Sequence, residues 1–149
     1  MVSPAKLNQF LKSHPTIGLD SNILIYFIEA NPQYHKLCQA IFEAIEDGRN
    51  TGVCSTLSLL EILVQPYRQD DVERASEFYG LLTRYPNMLW KDLTIHVADL
   101  GAQLRAEYNI KTPDAILLAT AIDSGATAFI GNDAKLKKVQ EIEILILDE

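Results

Sequence analysis

Apolar residues follow two spacings along the chain. Short unbroken runs predict buried strands, and they lie at residues 16–19, 52–54, 88–90, 126–130 and 142–147. Longer stretches, in most of which apolar residues recur every three or four positions, predict helices. These stretches lie around residues 7–11, 37–45, 57–64, 72–82, 97–108 and 114–123, and a shorter helix is predicted at 133–139.

The alternation of strands with helices predicts an α/β domain whose sheet is mostly parallel and has four to five strands. The chain has 149 residues and no visible internal repeat, so we expect residues 1–149 to form a single domain. In open parallel sheets, binding sites form beyond the carboxyl ends of the strands. Residues that directly follow a strand are therefore the first candidates for function.

Two of the predicted helices are apolar on almost every side, and we expect both to be buried. One occupies residues 114–123, where Thr112 is a suitable N-cap and Pro113 a suitable first helical residue. The other occupies residues 57–64 and should end near Pro66, because proline interrupts a helix.

Glu61 is the only charged residue in the apolar helix at 57–64, where six of the eight residues are aliphatic. A carboxylate is costly to bury without compensation. No basic residue lies one helical turn away from Glu61 on either side. Two interpretations stay open at this point: Glu61 faces a small opening to solvent, or it meets a cation.

Three aspartates occupy positions that the predicted topology brings towards one rim of the sheet. Asp20 follows the first strand, Asp114 opens a buried helix, and Asp133 follows the fourth strand. Each of them alone could be a helix cap or a first-turn acid. Gathered together with Glu61, these carboxylates would repel one another and raise one another's pKa values. A divalent cation such as Mg²⁺ or Mn²⁺ removes this conflict, and phosphodiester hydrolysis is the chemistry that most often uses such a site.

The chain is acidic, with a net charge of −7 and a pI of about 4.9. This charge argues against a protein that binds nucleic acid through a broad basic face. Contacts with phosphates would depend instead on a few cations close to the acids. The candidates are Lys111 and Lys135, with Lys137, Lys138 and Arg105 as weaker ones.

The sequence lacks the motifs of redox sites, zinc sites and serine hydrolases. Cys38 and Cys54 match no redox or zinc spacing and are interpreted as buried apolar residues. The histidines are isolated, and neither HExxH nor GxSxG occurs. No apolar run reaches the ~18–20 residues of a membrane span, and the first residues contain no apolar stretch of signal-peptide length. We therefore expect a cytoplasmic protein that does not associate with membranes.

The four candidate acids each lie in a short motif. The motifs are Gly18-Leu19-Asp20-Ser21-Asn22, Ser55-Thr56-Leu57-Ser58-Leu59-Leu60-Glu61-Ile62-Leu63, Thr112-Pro113-Asp114-Ala115-Ile116-Leu117-Leu118-Ala119-Thr120-Ala121 and Phe129-Ile130-Gly131-Asn132-Asp133. In order and spacing they resemble the motifs of the PIN-domain ribonucleases, closest to the VapC-type toxins of bacterial type II toxin–antitoxin pairs. The resemblance covers almost the whole chain.

The resemblance implies a PIN-like three-layer α/β/α fold and a ribonuclease that requires Mg²⁺ or Mn²⁺. It implies that the catalytic and metal-binding residues are the same four acids: Asp20, Glu61, Asp114 and Asp133. It also implies that Asn22 supports the first acid. Ser58 is a candidate supporting hydroxyl, although it could equally bond the backbone of its own helix.

The resemblance further implies three partners: an RNA substrate, a second copy of the chain in a homodimer, and a cognate antitoxin whose peptide lies in a groove near the site. The middle helices carry aromatic residues that we interpret as core or as a protein-binding surface. They are Tyr67, Phe78, Tyr79 and Tyr85.

The chain departs from the family pattern at Gly131, where Thr or Ser usually precedes Asn-Asp. The change removes a hydroxyl that could orient Asp133 or a phosphate, and glycine could instead serve a sharp turn or a close backbone approach.

Two other hypotheses stay open. The chain could be a catalytically inactive nuclease-like module that binds RNA or protein, which Gly131 and the acidic charge support. It could also be a phosphoacceptor receiver domain, but such a domain would have adjacent acids after its first strand, where Ser21 and Asn22 follow Asp20.

Overall fold

The computed structural model describes residues 1–149 and contains five strands, seven α-helices and one short 3-10 helix. In chain order they are α1 (Pro4–Ser13), β1 (Thr16–Leu19), α2 (Ser21–Ile28), α3 (His35–Glu46), β2 (Thr51–Ser55), α4 (Thr56–Arg68), α5 (Val72–Thr83), β3 (Met88–Lys91), α6 (Ile95–Tyr108), α7 (Thr112–Asp123), β4 (Ala128–Gly131), the 3-10 helix (Ala134–Lys138) and β5 (Glu143–Ile146). None of these helices is both long and apolar enough to cross a bilayer.

All five strands form one parallel sheet in the order β3-β2-β1-β4-β5. The predicted parallel α/β fold is therefore confirmed. The chain reverses its direction of progress across the sheet between β1 and β4, and ligands of open α/β sheets bind at such a switch point. Receiver domains have the different order 2-1-3-4-5, so the strand order excludes that hypothesis.

The sheet separates two hydrophobic cores, which confirms the three-layer arrangement. Successive residues of β4 point to opposite faces, as a strand requires. Ile130 belongs to the core beneath α1, α2 and α3, whereas Phe129 belongs to the core beneath α6 and α7. Both faces of the sheet are covered by helices, which explains why the strands read as unbroken apolar runs.

Gly18 in β1 allows α7 to lie directly on the centre of the sheet. A Cβ atom at this position would lie 2.5 Å from the Cβ of Ala121 and 2.9 Å from Cδ2 of Phe129, distances at which something must shift. The predicted burial of α7 is confirmed, because the buried residues of the helix include every position from 117 to 121. This packing fixes the start of α7 at the carboxyl edge of β1.

The apolar helix α4 differs from its prediction in burial and in length. It exposes Leu60, whose accessible surface is 60% of the maximum, and also Glu61. The helix also runs through Pro66 to Arg68, since the N–H of Gln69 donates to the carbonyl of Gln65 at 3.2 Å and restores helical bonding beyond the proline.

The remaining differences concern boundaries and one missed element. Helix α2 was not predicted, because its sequence SNILIYFI is apolar on nearly every side and carries no helical period. Lys111, and not Thr112, is the N-cap of α7, and no side chain bonds the cap. Strand β4 begins at Ala128, two residues later than expected, and the short helix after Asp133 is 3-10.

Candidate functional site

The four acids predicted from the sequence lie along the carboxyl edge of the sheet. Asp20 is the N-cap of α2, directly after β1, and Glu61 lies on α4, which follows β2. Asp114 is in the first turn of α7, and Asp133 is the N-cap of the 3-10 helix after β4. They act on one another electrostatically: Asp114 and Glu61 raise the pKa of Asp20, and Asp133 and Glu61 raise that of Asp114.

Asp20 is the most deeply placed of the four, with 6% of its surface accessible. Burial is the largest cause that raises the pKa of its carboxyl from 3.8 to about 6, and the charge of Asp114 is the next. The backbone N–H groups of Ser21 and Asn22 act in the opposite direction and are outweighed. Since these N–H groups of α2 do not offset the effect of burial, a role as helix cap alone does not account for Asp20.

Asp114 is half-buried at the start of α7, and its pKa is also raised, first by burial and then by the charge of Asp133. Lys111 and Lys135 lower this pKa. Neither lysine forms an ion pair with an acid, and none of the four ion pairs in the structure includes any of the candidate acids. The negative charge of the site is therefore not neutralised by the protein's own cations at contact distance.

A chain of two serine hydroxyls holds Glu61 beside Asp20. Ser21 donates its hydroxyl to Oε1 of Glu61 at 2.9 Å, and its oxygen lies 2.7 Å from that of Ser58. Because the Ser21 proton is used on Glu61, Ser58 must donate to Ser21. Ser58 is fully buried and bonds another side chain instead of its own helix, which resolves the two interpretations left open for it.

Ser21 was not among the predicted site residues, although it directly follows Asp20 in the first motif. Asn22, which was predicted to support Asp20, does so only through its backbone N–H, since its side chain is exposed and forms no hydrogen bond within the protein. Glu61 is exposed to solvent, which leaves its carboxylate accessible to a cation as well.

Gly131 approaches Asp20 too closely for any other residue to fit without adjustment. A Cβ at Gly131 would lie 3.1 Å from Oδ2 of Asp20, and the φ angle of Gly131 is not positive. The glycine therefore serves a close approach, not a sharp turn. The neighbouring Asp133 accepts a hydrogen bond from the backbone N–H of Lys135 at 3.0 Å, which fixes the carboxylate at the start of the 3-10 helix.

A cleft of about 120 Å³ opens beside Asp114 and Asp133. It is lined by the following residues: Asn109, Ile110, Lys111, Asp114, Asp133, Lys135, Leu136 and Lys138. The other two cations considered from the sequence do not line this cleft: Lys137 pairs with Glu149 at 2.9 Å, and Arg105 donates to the carbonyl of Ile110. Three lysines and two acids thus share one opening at the carboxyl edge of the sheet.

The donor set suits a hard divalent cation, although the side chains do not form a closed cage. Nowhere in the chain are three or more His, Cys, Asp or Glu side chains positioned to hold one ion between them. Mg²⁺ does not require such a cage, since it retains several waters and binds through one or two carboxylates. Four carboxylates, one of them buried and none of them in an ion pair, fit this mode of binding.

The raised pKa of Asp20 predicts how the stability of the metal-free protein depends on pH. Because the native pKa of about 6 exceeds the ordinary 3.8, the native state holds the proton more tightly, and the contribution of Asp20 to stability falls as pH rises between these values. In EDTA, Asp20→Asn should raise the melting temperature at pH 7.5, by an amount that corresponds to at most roughly 3 kcal/mol, and the gain should shrink towards pH 4.

Asp92→Asn, at an exposed acid, is the matched control and should change the melting temperature little at either pH. A melting temperature that Asp20→Asn lowers at pH 7.5 would contradict the description of Asp20 as an uncompensated buried charge.

Comparisons with known proteins identify the family and the fold of the chain. The family model for the PIN domain matches residues 17–142. No curated protein sequence matches the chain. Solved structures with a similar fold include VapBC2 from Rickettsia felis bound to a promoter DNA fragment, with a TM-score of 0.68 at 18% identity over 88% of this chain and 98% of that one.

Two further structures show the same similarity. DNA-bound VapBC from Salmonella typhimurium gives a TM-score of 0.70 at 17% identity, with 88% of this chain and 97% of that chain covered. Mycobacterium tuberculosis VapC20, a toxin that cleaves the sarcin–ricin loop, gives 0.65 at 12% identity, with 85% and 98% covered. The TM-scores establish a common fold. The match of the family model over most of the sequence shows that the chain belongs to the PIN-domain family.

Proposed function

We propose that this protein is a divalent-metal-dependent endoribonuclease that acts in the cytoplasm as the toxin of a toxin–antitoxin pair. The observation that carries the proposal is the buried carboxylate of Asp20, which lies beside Asp114 and Glu61 with no cation of the protein to offset it. Membership of the PIN-domain family and the fold shared with VapC20 support the same activity.

In this proposal Asp20 and Asp114 hold Mg²⁺ or Mn²⁺, with Glu61 and Asp133 at its margin. When bound, the cation supplies a water of lowered pKa and offsets negative charge on the phosphate. The buried position of Asp20 suits this role, because a carboxylate that is poorly solvated gains most from a cation. Ser21 and Ser58 keep Glu61 oriented towards the same side of the site.

The lysines of the cleft are proposed to hold the RNA backbone. Lys111, Lys135 and Lys138 line the cleft together with Asp114 and Asp133. Since the net charge of the protein is −7, few phosphates can be contacted, and affinity must come from a small number of well-placed groups. Such a site favours a folded RNA that presents an unstacked loop.

An inactive module that binds RNA or protein is the second candidate. The absence of a preformed three-carboxylate cage and the glycine at position 131 favour it. The two candidates differ in whether the site binds a metal and in whether RNA is cut.

The first test is cleavage of a structured RNA in the presence of Mn²⁺. Asp20→Asn and Asp114→Asn should each lower kcat/KM by more than about 100-fold, since the loss of a ligand should exceed the 10- to 100-fold effect of losing a ligand's supporting partner. The exposed Asp92→Asn controls for the loss of one negative charge and should leave cleavage unchanged.

Calorimetric titration of the same proteins with Mn²⁺ separates the two candidates. Binding by the unchanged protein that Asp20→Asn weakens supports the nuclease, and the absence of binding at millimolar Mn²⁺ supports the inactive module. Full cleavage by purified Asp20→Asn protein would refute the role proposed for this residue.

The second test measures the lysines through the salt dependence of RNA binding, with all variants in the Asp20→Asn background so that the RNA stays intact. Lys111→Ala and Lys135→Ala should each make the slope of log K against log salt shallower by about 0.7, the value for one lost phosphate contact on a single strand. Lys137→Ala is the matched control, because Lys137 lies on the same 3-10 helix but pairs with Glu149. An equal effect of all three substitutions would show general charge attraction instead of specific contacts.

An antitoxin peptide is the proposed partner, and the exposed side of α4 is the proposed docking surface. An apolar groove on this helix is lined by Leu60, Leu63, Val64, Tyr67 and Arg68. The groove lies on the same helix as Glu61, so a peptide bound there would come close to the acids. Exposed apolar patches of this kind mark sites of protein contact. The homodimer is likewise proposed, on the family resemblance alone.

The biological role is tested by expression in bacterial cells. The unchanged protein should arrest growth, Asp20→Asn should not, and coexpression of a small antitoxin encoded beside the gene should restore growth. Leu60→Asp places a charge in the groove without touching the acids, so it should keep RNA cleavage and lose the rescue. Rescue that persists in Leu60→Asp would move the docking surface elsewhere.

The aromatic residues divide between the two roles that the sequence left open. Tyr85 belongs to the core, where it packs edge-on against Phe27 and Phe42 with ring centroids 5.7 and 5.5 Å away. Tyr67 and Tyr79 are exposed on α4 and α5 and are available to a partner.

A further inference from the structure

The segment that carries Asp133 is tied to distant parts of the chain by one side chain, that of Asn132. Its Oδ1 accepts a hydrogen bond from the backbone N–H of Asp148 at 2.9 Å. Its Nδ2 donates to Oδ2 of Asp148 at 3.1 Å and to the hydroxyl of Tyr26 at 3.2 Å. The oxygen and both N–H bonds of the amide are therefore all used.

Asp148, the main partner of Asn132, is itself held firmly. Tyr34, a buried residue, donates its hydroxyl to the carboxylate of Asp148 at 2.8 Å. The residues that precede Asp148 and Asn132 are paired as well, since the N–H of Leu147 donates to the carbonyl of Gly131 at 3.1 Å. Tyr34 also stacks on Tyr26, with ring centroids 4.4 Å apart. Asn132 thus joins an anchored segment and not a loose chain end.

The second partner of Asn132 leads to the other side of the site. Tyr26 lies on α2, the helix that begins immediately after Asp20. The bond from Asn132 to Tyr26 therefore links the segment that bears Asp133 to the helix that bears Asp20. The hydrogen bonds of one amide span the two acid-bearing segments that flank the switch point between β1 and β4.

We propose that Asn132 and Asp148 form a positioning pair, which sets the location of Asp133 relative to Asp20 and thereby the affinity of the site for its divalent cation. The inference rests on the proposed function. Asn132 does not touch the cation or the RNA in this proposal, and acts only through the residue beside it. The hydrogen-bonding partners of metal ligands commonly have such an effect, worth about 10- to 100-fold in affinity or activity.

The pair can be broken and restored by exchanging its two groups. Asn132→Asp has nearly the same shape but sets two carboxylates against each other, at positions that are 3.1 Å apart in the native protein. Adding Asp148→Asn to it returns an amide opposite a carboxylate, with the direction of the bond reversed. Tyr26 can then donate its hydroxyl where it previously accepted.

The sign of the effect distinguishes positioning from simple charge. Asn132→Asp adds a negative charge next to Asp133, which by itself would tighten binding of a cation. If the pair sets the geometry, Asn132→Asp should instead weaken Mn²⁺ binding by about 10- to 100-fold, measured by calorimetry, and the Mn²⁺ concentration for half-maximal RNA cleavage should rise equally. KM for RNA at saturating Mn²⁺ should not change.

The exchanged pair, Asn132→Asp with Asp148→Asn, should recover Mn²⁺ affinity to within about threefold of the unchanged protein. This recovery is distinguishable from the loss of about 10- to 100-fold expected of Asn132→Asp alone. Asn8→Asp on α1 adds the same charge outside the network and should leave the affinity unchanged. Native or tighter Mn²⁺ binding by Asn132→Asp overturns the proposal, as does an exchanged pair that is as impaired as the single variant.

Melting temperature in EDTA shows whether Asn132→Asp folds. If it does not, Tyr34→Phe decides the matter, because it removes only the hydroxyl that anchors Asp148: weaker Mn²⁺ binding supports the proposal and unchanged binding overturns it.

Hydrogen exchange of residues 131–135 in the metal-free protein separates this inference from the proposed function. If the unchanged protein neither binds Mn²⁺ nor cleaves RNA, the proposed function fails. Exchange that is faster in Asn132→Asp and normal in the exchanged pair then still shows that the network holds the segment. Equal exchange in the unchanged protein, Asn132→Asp and the exchanged pair overturns the positioning role of Asn132.

Discussion

The contact between α7 and β1 is the constraint on which the site depends. Helix α7 can lie on the middle of the sheet only because position 18 has no side chain, and the nearest atom across the contact belongs to Ala121. With the helix in this place, its first turn brings Asp114 to the end of β1, where Asp20 follows the strand. A larger residue at either position would move one acid away from the other, whatever the rest of the chain did.

The same arrangement costs the folded protein some stability. Asp20 is buried beside other acids, and the raised pKa of its carboxyl measures how strongly the folded state disfavours the charge. Functional sites commonly break the rules of packing and charge that the remainder of a fold obeys. Here the remainder does obey them, since no buried polar side-chain atom lacks a hydrogen-bond partner. The uncompensated negative charge is concentrated at Asp20 and its neighbouring acids, where a bound cation would offset it.

The sequence predicts the strands, most helices and the position of four acids at one edge of the sheet, because these depend on local pattern and on strand ends. It fails where the role of a residue depends on a contact with a part of the chain that is distant in the sequence. The exposure of α4 could not be deduced, because its apolar residues look the same whether a core or another protein covers them. Ser21 gave no signal beyond its place in a motif, since its bonds to Glu61 and Ser58 join residues about 40 positions apart. Gly131 permitted two explanations, and its distance to Asp20 together with its backbone conformation selects one.

The strand order also determines when the site can exist during synthesis. β1 emerges early from the ribosome, but its neighbour β4 pairs Ile17 with Ala128, about 110 residues later. Until that strand has been translated, one side of β1 has no partner, Asp133 has not been made, and α7 lacks the strand that closes its core. A nascent chain that stops short of β4 therefore carries three of the four acids without the framework that brings them together.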